Sequence, residues 1–130
     1  MENIITKFQT IYNSVRTEKG SFTLFMILKM DEYTDKWSIL ISAPWITQDN
    51  KSEIFKYLAG IISSKLTQQE VTTIARLGLF LPNEHLVTLF TGTFRVQANS
   101  APIKLVNTKV NGYQVHEAYI YESSGIQLTS

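Results

Sequence analysis

Two histidines, His85 and His116, each stand directly beside a glutamate, Glu84 and Glu117, and such pairs are raw material for general acid–base chemistry. Their spacing works against that use. Neighbouring residues diverge by ~100° on a helix and point to opposite faces of a strand, so neither pair converges on one substrate atom unless a bulge intervenes. Serines are plentiful, yet none lies in a Gly-x-Ser-x-Gly elbow. The lack of cysteine removes thiolate nucleophiles, disulfides and cysteine zinc sites together. A triad assembled only by the fold stays open. No two histidines stand at ligand spacing, and the cluster Asp31, Glu32 and Asp35 lacks the glycine and closing glutamate of a calcium loop. Gly60, Gly78 and Gly92 are isolated, which leaves no phosphate-cradling loop. The expectation is a chain with neither metal nor cofactor, leaning against enzymatic activity.

Binding chemistry is better supplied. Arg76 interrupts an apolar stretch and Arg95 follows Phe94 in another, and either guanidinium suits a two-pronged contact with an anion. The plainer alternative is that each extends into solvent from the outer side of its segment. Tyr113, Tyr119 and Tyr121 share one parity near the C-terminus. If that face is open it is an aromatic surface of the kind enriched at protein interfaces, and if helices cover it, it is core. The stretch Trp37-Ser38-Ile39-Leu40-Ile41-Ser42-Ala43-Pro44-Trp45 poses the same choice. Its tryptophans suit a stacking platform for bases, but they share parity with Ile39, Ile41 and Ala43, which favours a buried face.

The bulk properties narrow the class. At 130 residues, with 44% hydrophobic and 18% charged side chains, the chain reads as one ordinary globular domain able to bury a core without staples. Twelve basic against eleven acidic residues, with no basic run, disfavour nucleic acid, whose binders normally carry a basic excess. The N-terminus shows no basic-then-apolar signal pattern. The longest uninterrupted apolar run, Leu24 to Leu28, falls far short of the ~20 residues that span a bilayer. A soluble, cytoplasmic protein without membrane contact is expected.

The elements that must position these residues follow from periodicity. Ile4, Ile5, Phe8, Ile11, Tyr12 and Val15 predict a helix over 3–17, stopped at Gly20. Residues 21–30, apolar on both parities, read as a strand covered on two sides, and a turn over 31–36 joins them to the Trp37 strand in a hairpin. Pro44 ends that strand or marks an edge. Asn50 and Glu53 suggest a cap for a helix over 51–66, and Thr67 to Glu70 makes a better capping box. A third strand is expected from Ile74 to Leu81, then a short helix capped by Asn83 and carrying Leu86, Leu89 and Phe90. Residues 102–106 form a weak strand, Asn111-Gly112 is the strongest hairpin signal, and a last strand runs over 113–122. A change of parity near His116 and Glu117 implies a bulge. The tail 123–130 is polar and expected to fray.

The segment Trp37–Ile46, with its Trp-polar-aliphatic run closing on Ser-Ala-Pro-Trp, resembles a strand of small uncharacterised bacterial and archaeal proteins. The similarity extends to Gly112 and the Ala118-Tyr119-Ile120 strand, and it implies a recurring domain with no activity attached. The sequence thus predicts a single α+β domain in the order α-β-β-α-β-α-β-β, with one mostly antiparallel sheet of about five strands and helices on one side. The function it favours is non-enzymatic association, with a protein partner or with a second copy in a homodimer paired through the C-terminal strands. The alternative is an anionic small-molecule ligand held between sheet and helices by Arg76 or Arg95.

Overall fold

The computed structural model describes residues 3–30, 35–98 and 100–124. Helix α1 (Ile4–Lys19) starts where Asn3 Oδ1 accepts the backbone N–H of Thr6 at 2.9 Å. It stops at Gly20, whose φ of 113° few other residues tolerate. Its buried stripe is Phe8, Ile11, Tyr12 and Val15, as the helical spacing requires. Strands β1 (Leu24–Met30) and β2 (Trp37–Ser42) pair antiparallel with Ile27 opposite Ile39, and β2 ends just before Pro44. Asp31 and Glu32 lie outside the described residues, as do most of the turn read over 31–36 and the tail beyond Ser124.

Helix α2 (Lys51–Lys65) follows, but Asn50 does not cap it through its side chain. That amide is spent on the preceding loop: Oδ1 accepts from Thr47 N at 2.8 Å and Nδ2 donates to Trp45 O at 2.9 Å. The single turn α3 (Gln68–Val71) carries the full capping box, Thr67 and Glu70 exchanging side-chain and backbone bonds. Glu70 also accepts Lys7 Nζ at 2.7 Å, fastening α3 to α1. Strand β3 (Ile74–Phe80) then lies parallel to β2, because the α2 crossover returns the chain in the same direction. Helix α4 (His85–Thr93) begins after Glu84 rather than Asn83, the Glu84 carboxylate accepting from Leu81 N at 2.6 Å. Strands β4 (Ile103–Val110) and β5 (Tyr113–Ser123) close the chain around a turn with φ of 48° at Asn111 and 88° at Gly112. Positive φ at both positions is the two-residue turn whose twist matches a hairpin.

The expected α+β order is present, on one five-stranded sheet ordered β3-β2-β1-β5-β4. Its pairing is mixed: β2 with β3 is parallel and the remaining pairs are antiparallel. Helices cover both faces, not one. Phe25, Ile27, Ile39, Ile41 and Leu79 pack with α1 and α2, while Leu24, Met26, Leu28 and Leu40 pack with Val87, Leu89 and Phe90 of α4. The double-sided burial of β1 and β2 requires this, since each apolar parity needs its own cover.

Two irregularities in β5 set which residues face which helices. Between Lys29 and Met30 of β1 the partner jumps from Glu117 to Val115, so His116 is the extra residue of the expected bulge. A second jump, from Glu122 to Ile120 across Phe25 and Met26, leaves Tyr121 over. Beyond the first bulge the parity reverses, so the tyrosines do not share a face. Tyr113 pairs with Val110 and falls on the α4 side with Val115, whereas Tyr119 and Tyr121 pack toward α1 and α2.

Candidate functional site

The second bulge has a chemical result. Regular alternation would turn Glu122 toward α4, but the extra residue at Tyr121 leaves Tyr121 and Glu122 both addressing α1. Glu122 is the one charged side chain buried among the described residues, at 4% exposure. A carboxylate removed from water loses several kcal/mol of hydration and stays charged only where donors replace it. Here α1 provides them. The Tyr12 hydroxyl donates to Oε1 at 2.7 Å and Arg16 Nε donates to the same oxygen at 3.2 Å. Four residues apart, Tyr12 and Arg16 emerge on one side of the helix and converge on one group. Burial first, and the bond to Glu122 second, push the Tyr12 phenol well above its ordinary range, so it remains a proton donor.

Arg16 and Glu122 line a cleft of about 820 Å³ at the end of the sheet where β2, β3 and β5 finish and β1 begins. Phe22, Pro44, Pro82 and Val96 give it apolar walls. The strand of β5 leading in, the α4–β4 connection and the loops after β2 and β3 all meet there. Pro44 and Pro82 sit in the two loops that leave the parallel pair β2 and β3, and those loops run to helices on opposite faces of the sheet. Loops that part in this way open the crevice in which open α/β sheets bind their ligands.

Arg95 lines the same cleft, placed by the short bridge of Val96 to Ser123 and by its own Nη1 donating to Ser124 O at 3.0 Å. Arg95 is an exposed residue. With Arg16 neutralised by Glu122, Arg95 leaves the cleft one positive charge in excess. An apolar-walled recess with a surplus guanidinium is suited to an organic anion.

The residues singled out from sequence are distributed unevenly around this site. Arg95 belongs to it. Arg76 does not: it is exposed on β3, at the edge of the sheet, and lies outside the cleft lining. Tyr121 is 1% exposed and its hydroxyl donates to Ile5 O at 2.7 Å, so it fastens β5 to α1 rather than offering an interface. Tyr119 is half-buried, tilted against Trp37 at 6.1 Å and bonded to Glu117, and only Tyr113 is exposed. The expected aromatic surface is therefore core over most of its length. Trp37 is buried as expected, while Trp45 lies beyond β2, half-buried, its Nε1 donating to Ser21 O at 3.0 Å. Neither His85 nor His116 lines the cleft. Glu122 and Arg16 were not legible as site residues, although Tyr12 and Arg16 at helical spacing on the inner side of α1 were a usable signal.

No family model matches the chain, and neither curated proteins nor solved structures provide a match. Function therefore rests on geometry alone.

Proposed function

We propose that the protein binds a small organic anion in the cleft between Arg16, Arg95 and the Pro44 and Pro82 loops, as a binding protein rather than an enzyme. The observation that carries this reading is the Tyr12–Arg16–Glu122 cluster. It fixes a buried carboxylate and a guanidinium in the lining of a cleft that also holds a second guanidinium with no carboxylate partner among the described residues. Such preorganised polar groups in an apolar recess give orientation and specificity, with the walls supplying most of the contact area. The anion's charge meets Arg95 and its apolar body meets the two prolines.

The test is thermal unfolding against a panel of aromatic and aliphatic carboxylates and phosphate monoesters, repeated with Arg95→Gln. A ligand at a hundred times its Kd stabilises the native state by about 2.7 kcal/mol. Upward shifts in Tm that disappear in Arg95→Gln and shrink with added salt support the reading. A panel without effect, or shifts retained in Arg95→Gln, would refute it.

A further inference from the structure

Arg76, set aside by the cleft, belongs to a different surface. Strand β3 is one edge of the sheet, paired to β2 on a single side, so its outward N–H and C=O groups are open to another strand. Along that edge, on the side covered by α2, runs a second recess of about 580 Å³ formed by Gln48, Lys51, Ser52, Phe55, Lys56 and Leu79. Phe55 is 44% exposed there, unusual for a phenylalanine on a helix whose Ile54, Leu58 and Ile62 are buried. The charged side chains lining the recess are both lysines, while Asp49 and Glu53 lie on the same stretch of chain outside the lining. Lys51 and Lys56 flank the recess and Arg76 stands exposed on the opposite side of β3, and none of the three has an acidic partner among the described residues.

We infer that β3 accepts an extended acidic peptide from a partner protein, added as a sixth strand. Strand addition obtains its affinity from backbone hydrogen bonds and its specificity from pockets for alternate side chains. In this geometry every second residue of the incoming strand faces α2. An apolar side chain there covers Phe55 and Leu79, with carboxylates reaching Lys51 and Lys56, and the intervening residues place acidic groups beside Arg76. Charge favours a partner over a second copy: a second β3 edge carries Arg76 and no acidic residue to meet these cations, whereas an acidic strand supplies carboxylates to them. The opposite edge, β4, is protected differently. It begins after Pro102, carries Lys104 and Lys109, and is kinked at Asn107, where φ is 47°.

The inference is independent of the cleft, and its test does not involve Arg95. The probes are fluorescein-labelled heptapeptides with Val, Ile, Phe or Tyr at the central position and Glu at the others, so that carboxylates fall on both faces of the strand, measured by anisotropy with the whole protein, together with the same peptides carrying Lys for Glu. Binding by acidic members, absence of binding by the lysine series, at least a tenfold loss in the K51E/K56E double variant, and a smaller loss in Phe55→Ser are expected. Phe55 and Lys56 are exposed and Lys51 is half-buried, and circular dichroism establishes that the variants fold. Amide exchange should slow over 74–80 on peptide addition. The proposal fails if no acidic member binds, if the double variant binds undiminished, or if protection falls on β4. A β3-mediated dimer of the protein alone would also overturn it.

Discussion

Glu122 illustrates how much one residue's role depends on a backbone detail. By parity it belongs on the α4 face; by the bulge at Tyr121 it becomes a buried anion tied to α1. Replacing Arg16 with Met keeps the aliphatic stem but removes a charged donor, and should destabilise the fold by about 1–3 kcal/mol in urea titrations. The upper end of the range for buried pairs is not expected, because Arg16 itself is partly open to solvent. An unchanged midpoint would mean Glu122 is satisfied without it. The tyrosines give a pH prediction. Burial raises the phenol pKa of Tyr12 and Tyr121 above that of the unfolded chain, and Tyr57, also desolvated and bonded to Glu18, is pushed up to about 12. A raised phenol favours the protonated form, so this contribution is whole below about pH 10 and is lost as pH rises beyond it. Ultraviolet titration of the native protein should leave these three of the six tyrosines un-ionised at about pH 11, with Tyr12 and Tyr121 ionising only as the fold opens. Simultaneous ionisation of all six near pH 10 would contradict the burial.

Among the elements, β1 and β2 were legible because strict alternation and double-sided apolarity leave few other placements. Ser38 and Ser42 show the cost of that central position: both hydroxyls are buried on the Leu40 side of β2 without a hydrogen-bond partner among the described residues. Ser42→Ala removes a polar group that nothing satisfies, and should leave stability unchanged or raise it by about 1 kcal/mol. A loss above that size would show the hydroxyl to be engaged. Trp37 and Trp45 separate the strand from its sequel. Trp37→Ala should cost about 3–5 kcal/mol as a core deletion, and Trp45→Ala distinctly less, since its ring is half-exposed and edge-on to Phe22 at 5.3 Å. Equal losses in denaturant midpoint would contradict the placement of Trp45. The side of the sheet taken by α4 was not legible, because an amphipathic helix shows that it has a buried face and not which face of the sheet it meets.

At the level of the whole molecule, the order of elements could be read locally, but the cleft could not. Tyr12 and Arg16 meet Glu122 across 110 and 106 residues of chain, and the bulge that brings the carboxylate to them is a property of pairing with β1. Arg95 and Arg76 were equally identifiable as candidates from their type, yet only Arg95 lines the cleft, so residue chemistry alone did not separate cleft from edge. No helix among the described residues is long and apolar enough to cross a membrane. The sheet presents a recess at one end and a second one between β3 and α2. The most direct test of the central claim is a titration of isotopically labelled protein with phenyl phosphate and phenylacetate, followed by amide chemical shifts. Saturable shifts are expected at Arg16, Ser21–Thr23, the residues flanking Pro44 and Pro82, the Arg95–Ala98 connection and Glu122–Ser124, abolished by Arg95→Gln. Shifts that never saturate, or that centre on β3 and α2 instead, would contradict it.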